Sequence, residues 1–144
     1  MPIGPEHEGR VYPPTRPYRV SRAKIAEFAA ALGDTNPAYQ GDSEPPEAPP
    51  TFAAVIAAQA WGALFDDPDL GLALQRVVHA EQRFDVVRPM REDDDVVATL
   101  GITRVRNRGT TDMVTIAVKL DDPAGEPYGT ATSMLIHNHP EGQE

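Results

Sequence analysis

The sequence lacks cysteine, which excludes disulfides and metal sites built on thiolates. It also lacks an apolar run of bilayer length, since its most apolar stretch, residues 51–65, falls short of the roughly 20 residues that a membrane-spanning helix needs. Residues 1–5 carry neither a basic segment nor an apolar one, so we expect no signal peptide. Together these absences predict a cytoplasmic protein without a membrane partner.

Positive charge is scarce. The chain has 13 Lys and Arg against 22 Asp and Glu, which gives a formal net charge of -9. Nucleic acid is therefore an unfavourable partner, because proteins gain affinity for phosphates by neutralising them with Lys and Arg. The length of 144 residues is typical of one domain, and we expect a single domain over 1–144.

The N-terminal third of the chain predicts an arm followed by a helix. Residues 1–19 carry many prolines and no hydrophobic period, which indicates an extended arm laid over the domain. Ser21 is a suitable helix cap, and Gly33 a suitable stop. Between them an apolar stripe at helical spacing predicts a face that packs against the core, formed by Ile25, Phe28, Ala29 and Leu32.

A second helix is predicted from Thr51, its expected cap, to Phe65. It is apolar on every side, and such a helix has to be surrounded by protein. The rest of the chain predicts four strands near 78–86, 96–108, 113–121 and 128–137, followed by a polar, loosely held tail over 138–144. The inward parity of the second strand slips near Thr103, which indicates a bulge there.

These elements predict an α+β fold in which an antiparallel sheet wraps around one long apolar central helix. In the first strand, Val78, Ala80, Gln82, Phe84 and Val86 are expected to face that helix, because they alternate with polar residues. A generic α+β sandwich has the same periodicity and stays open as an alternative.

The segment from Gly33 to Tyr39 reads Gly-Asp-Thr-Asn-Pro-Ala-Tyr. It resembles the motif of MaoC-like (R)-specific enoyl-CoA hydratases and 3-hydroxyacyl dehydratases, in which Gly-Asp-x-Asn-Pro is followed by an aliphatic residue and a histidine. Residues 48–52, 78–84 and 88–89 fit the same family, so that the resemblance covers roughly 12–137. It implies a hot-dog fold and is strongest to the short subfamily that contains the non-catalytic subunit of heterodimeric 3-hydroxyacyl-ACP dehydratases.

The resemblance implies a catalytic role for Asp34 and Asn36, but Tyr39 stands where the family has its histidine. A phenol stays protonated near neutral pH and is a poor base, so half of the Asp–His dyad is missing. The alternative interpretation is that Asp34 and Asn36 form only a helix stop and an Asx turn, and that Tyr39 packs against the core.

Further candidates for substrate binding are Thr51 and Phe52 at the start of the central helix, and Gln82, expected to line a substrate tunnel. His79 is the histidine best placed to be recruited to a cleft, although its parity favours a surface or subunit contact.

Arg104 and Arg106 alternate on one strand face and suit the phosphates of coenzyme A or an acidic acyl carrier protein, or else a solvated face. His137 and His139 at the chain end are weak evidence for metal, and no metal site is expected.

Three functions remain open at this stage. The favoured one is an acyl-chain-binding subunit of a dehydratase or hydratase, paired with a homologous hot-dog chain that bears the intact dyad. The second is a self-sufficient homodimeric hydratase using Asp34 with Tyr39 or His79. The third is an acyl-thioester-binding protein without turnover. Each would act on an acyl group carried by coenzyme A or acyl carrier protein, and none needs a further cofactor.

Overall fold

The structure is a computed structural model that describes residues 3–42 and 44–139. Its helices and strands follow one another in the order β1 (Tyr18–Arg19), α1 (Arg22–Leu32), α2 (Ala53–Ala60), α3 (Gly62–Asp66), β2 (Val77–Val86), β3 (Asp95–Arg108), β4 (Thr111–Asp121) and β5 (Pro127–Asn138). Short 3-10 turns cover Pro5–His7, Pro37–Tyr39, Pro50–Phe52 and Leu74–Arg76.

Helix α1 begins and ends as the sequence predicts. The Ser21 hydroxyl accepts a hydrogen bond from the backbone N–H of Lys24 at 3.1 Å, and Gly33 takes the left-handed conformation with φ 69°. Ile25 is fully buried, but Leu32 is 54% exposed. The predicted core-facing stripe was therefore wrong at Leu32, which lies in the last turn of the helix and is open to solvent.

The central helix is shorter and more open than predicted. It enters through the turn Pro50–Phe52, in which Thr51 makes no side-chain cap, and it breaks at Trp61 into α2 and α3. One side of α2 packs against β3, β4 and β5. Gln59 is exposed on the other side, so the expectation that protein surrounds the helix completely was wrong for the single chain.

The sheet has five strands in the order β1-β3-β4-β5-β2, and each pair is antiparallel. It curls around α2, and its inward residues form the hydrophobic core together with Phe52, Ile56 and Leu64. This α+β arrangement confirms the hot-dog fold. The predicted inward face of β4 is confirmed as well, since Val114, Ile116, Val118 and Leu120 are all buried.

Two bulges set which side chains face the helix. The register of β3 against β4 shifts between Ile102 and Arg104, as the parity slip near Thr103 predicted. A second shift, between His79 and Glu81 in β2, was not predicted. His79 pairs with buried Leu135, so it lies on the helix side, while Val78 is 57% exposed. The inward assignment was therefore wrong for Val78, and Ala80 is the unpaired residue of the bulge.

The N-terminal arm covers the outer edge of β3. The backbone N–H groups of Gly9, Tyr12 and Thr15 donate to the carbonyls of Ile102, Leu100 and Ala98 at 2.7–2.9 Å. At the other end of the chain, Asn138 closes β5 and the N–H of His139 donates to the Thr110 carbonyl. Residues 140–144 of the predicted tail lie outside the described residues. Within the described ranges, no helix has the length and apolar character needed to cross a bilayer.

Candidate functional site

The loop that follows α1 holds the acidic and amide residues of the Gly-Asp-Thr-Asn-Pro motif. Asp34 Oδ1 accepts a hydrogen bond from the backbone N–H of Asn36, and Asn36 Oδ1 accepts one from the N–H of Ala38, each at 3.0 Å. Both side chains are exposed, whereas Tyr39 is half-buried against the core. These side chains therefore form two successive Asx turns that begin the 3-10 turn at Pro37.

A polar cluster lies on the helix side of the edge strand β2. Gln82 Oε1 accepts a hydrogen bond from the Ser133 hydroxyl at 2.6 Å and lies 2.9 Å from His79 Nε2. Gln82 Nε2 donates to the backbone carbonyls of Thr132 and Arg83, which fixes the orientation of the amide. Since Gln82 Oε1 only accepts, His79 carries its proton on Nε2 and presents Nδ1 as an acceptor.

Trp61 borders this cluster at the break between α2 and α3. The indole and the His79 ring meet edge to face, with centroids 5.1 Å apart. The indole N–H is buried and has no hydrogen-bond partner among the described residues. The donor therefore points to a place where a further acceptor would be stabilising.

A narrow cleft with a cavity volume of about 30 Å³ lies between the start of the central helix and β2. Ala53, Phe84 and Val86 give it apolar walls, and Arg88 and Tyr128 close one side. The Arg88 guanidinium lies 3.9 Å from the centroid of the Tyr128 ring. Burial raises the pKa of Tyr128, so the phenol stays protonated near neutral pH. The apolar lining suits an acyl chain, but in the single chain the cavity has room for about one water molecule.

The structure separates the residues that the sequence singled out. His79 and Gln82 come together, but no hydrogen bond or ion pair within the described ranges joins them to Asp34 or Asn36. Phe52 is fully buried and packs edge to face on Phe28 at 5.4 Å, so in the single chain it is part of the core, and its role in substrate binding stays a prediction. Its neighbour Thr51 is exposed.

Arg104 and Arg106 are exposed on the outer face of the sheet, on the side of β3 opposite to buried Val105. Sequence reasoning missed Ser133, which lies 51 positions from Gln82. The available signal was its place between Ala131 and Leu135, where a polar residue interrupts an inward-facing series.

Comparison with known proteins agrees with this architecture. The sequence model described as "FAS1-like, dehydratase domain region" matches residues 6–130. A UPF0336 protein of Cutibacterium acnes is 53% identical over 142 residues, which are 99% of each chain. A UPF0336 protein of Streptomyces coelicolor is 43% identical over 136 residues, covering 89% of this chain and 90% of that protein.

Solved structures with the same fold include a (3R)-hydroxyacyl-ACP dehydratase complex, HadBC of Mycobacterium tuberculosis. It superposes with a TM-score of 0.78 at 25% identity and covers 90% of this chain and 96% of that one. An R-hydratase of Pseudomonas aeruginosa superposes with a TM-score of 0.68 at 15% identity, covering 92% of this chain and 83% of that one. The second likeness concerns the fold alone.

Proposed function

Because the chain belongs to the family of FAS1-like dehydratase domain regions, with the hot-dog fold of MaoC-like dehydratases, we propose that it is one subunit of an (R)-specific 3-hydroxyacyl-thioester dehydratase or enoyl-thioester hydratase. It binds the acyl chain, and a homologous hot-dog partner supplies the Asp–His dyad. The observation that carries this proposal is Tyr39, which occupies the histidine position of the motif and packs against the core.

The chemistry explains why Tyr39 decides the role. Dehydration moves the C2 proton to a base, breaks the C3–O bond and protonates the departing hydroxyl, which leaves as water. Each proton transfer from a well-placed group contributes about 10²–10⁴-fold. A carboxylate and an imidazole can share both transfers, whereas Asp34 lacks the second partner because position 39 carries no imidazole. We expect the isolated chain to be weak or inactive.

Two open surfaces support the need for a partner. Strand β2 lies at the end of the sheet and is exposed along most of its length, so its outer backbone groups are available to another strand. Beside it lies the exposed side of α2. A second hot-dog chain set against this edge would cover both surfaces, and a homologous partner is the simplest one that does so.

The apolar cleft at the start of the central helix is the proposed acyl site, and exposed Thr51 lies in the turn that precedes α2. Arg104 and Arg106 lie on the outer sheet face, so we assign them to the acidic surface of an acyl carrier protein rather than to the substrate itself. No further cofactor is required, because the reaction needs an acid, a base and donors for the thioester oxygen.

The test measures hydration of a short 2-enoyl-CoA by the purified chain, alone and with a homologous hot-dog chain that carries both dyad residues. We expect turnover only from the mixture, and Asp34→Ala in this chain should leave that turnover within a few-fold. Turnover by the chain alone that Asp34→Ala abolishes would contradict the subunit role.

One observation favours a second candidate, a homodimeric hydratase that uses His79. Gln82 fixes the tautomer of His79 so that Nδ1 can accept a proton, which is the arrangement of an oriented general base. In that case His79→Gln would abolish turnover by the chain alone. If His79→Gln instead removes turnover from the mixture but not from the chain alone, His79 lies at the contact with the partner.

A further inference from the structure

A buried cluster of Asp112, His137 and His139 ties the start of β4 to the end of β5. Asp112 lies directly opposite His137 in the β4–β5 pairing, and His139 follows two residues later. The Asp112 and His137 side chains are 2% and 3% exposed, and that of His139 is 17% exposed. The backbone N–H of His139 donates to the Thr110 carbonyl at 2.8 Å, which holds the residue beside the strand.

The three side chains present one ligand atom each, and these atoms lie within 4.8 Å of one another. Asp112 Oδ2 is 3.3 Å from His137 Nδ1 and 2.8 Å from His139 Nε2. A tetrahedral zinc ion with bonds of about 2.0–2.1 Å keeps its ligand atoms roughly 3.3 Å apart. The two separations from Asp112 therefore lie within about half an ångström of that value, and the separation of the two histidine atoms is at most 4.8 Å.

The charge of Asp112 gives a second reason to expect a bound cation. Among the described residues, its carboxylate pairs with two histidines and with the side-chain amide of Asn107, and with no Lys or Arg. A buried carboxylate is stabilised by a compensating positive charge, which a bound cation would supply. Asn107 donates to Asp112 Oδ1 and also to the Ile3 carbonyl, so it fixes the carboxylate with Oδ2 towards the histidines, as partners of metal ligands do.

We propose that Asp112 Oδ2, His137 Nδ1 and His139 Nε2 bind a divalent cation of the zinc type, with water as fourth ligand on the more exposed side of His139. The ion neutralises Asp112 and joins β4 to β5. The site is independent of the proposed dehydratase role.

Binding has a specific consequence for the backbone. The N–H of Ala73 donates to His137 Nε2 at 3.2 Å, so that His137 carries its proton on Nδ1. A cation on Nδ1 takes the place of that proton, and a neutral imidazole then carries its proton on Nε2. Two donors would face each other, so the hydrogen bond from Ala73 has to break and the segment before β2 is released.

The experiment uses the tag-free, chelator-treated full chain near neutral pH, titrated with Zn²⁺ by calorimetry and with Co²⁺ by absorption. We expect one equivalent to bind, with a rise in Tm of roughly 5–10 °C at about 100-fold excess over Kd. His139→Gln and Asp112→Asn should lose binding, and Asn107→Ala should weaken it about 10–100-fold. His79→Gln is the matched control and should bind as the parent chain does.

Hydrogen exchange at the Ala73 amide provides a readout that a nonspecific surface ion would not change. The Ala73 amide should lose protection from exchange when Zn²⁺ is added. Failure of the parent chain to bind Zn²⁺ or Co²⁺ would overturn the proposal, and so would binding that survives His139→Gln. Binding with unchanged protection of Ala73 would overturn the assignment of His137 Nδ1 as a ligand.

Discussion

A methyl group added at Gly129 should destabilise the sheet where β5 meets the edge strand. Gly129 lies opposite Val86 in the β2–β5 pairing, with φ at +154°. A Cβ atom there would lie 3.3 Å from the Val86 Cα and closer to the Asp85 carbonyl oxygen than real side chains approach. Both close atoms belong to the backbone of β2, so no side-chain rotation relieves the contact.

The magnitude follows from two terms. Overpacking costs about 1–3 kcal/mol, and a strained backbone conformation about 1–3 kcal/mol, so Gly129→Ala should lower the free energy of unfolding by about 2–6 kcal/mol. At roughly 2.1 cal/mol/K per residue, the unfolding entropy of a chain of this length converts that loss to a fall in Tm of about 7–20 °C.

Thermal unfolding followed by circular dichroism measures the change. Gly125→Ala is the matched control, because Gly125 also has a positive φ, +95°, but an added Cβ would meet nothing within 4 Å. We expect the control to lose only about 1–2 kcal/mol. Equal losses at the two positions would refute the close approach of β5 to β2.

Three further changes test other parts of the structure. Tyr39→His restores the motif of the family and should create or raise hydratase activity in the chain alone; initial rates that do not change would mean that the loop has another role. A hydrogen bond from Tyr12, aided by Arg10, holds the pKa of Asp67 below its ordinary value. This stability is present above about pH 4 and is lost as the pH falls through the folded pKa, so Tm should drop in acid, and less steeply in Asp67→Asn. Ser21→Ala removes the cap of α1 and should lower stability by about 1 kcal/mol in urea unfolding, whereas no change would show that the cap contributes nothing.

The sequence predicted the fold well where one face of an element is covered by the chain itself. The alternation in β4 and the parity slip near Thr103 both follow from burial on one side of the sheet, and both are confirmed. The bulge in β2 was missed because Val78 and Ala80 continue the apolar alternation of the strand by residue type alone. On an exposed edge strand, burial does not constrain the side on which a residue lies.

The central helix and the candidate site show a different limit of prediction from the sequence. Apolar composition predicted that residues 51–65 are covered, but composition does not distinguish a cover formed by the chain from one formed by another molecule. Asp34 and Asn36 are equally ambiguous, because the same oxygen atoms serve turn formation and chemistry. The contact of Gln82 with Ser133 depends on strand pairing, which local spacing does not specify.

The N-terminal arm has a consequence for how many chains can join one sheet. It lies along the outer edge of β3, and Pro13, Pro14 and Pro17 remove three N–H donors from what is now the outermost backbone on that side. An added strand finds a poor hydrogen-bonding partner there, which leaves β2 as the edge suited to growth. Two chains joined through β2 would each turn a blocked edge outward. Growth would then stop at a pair rather than continue into a fibre.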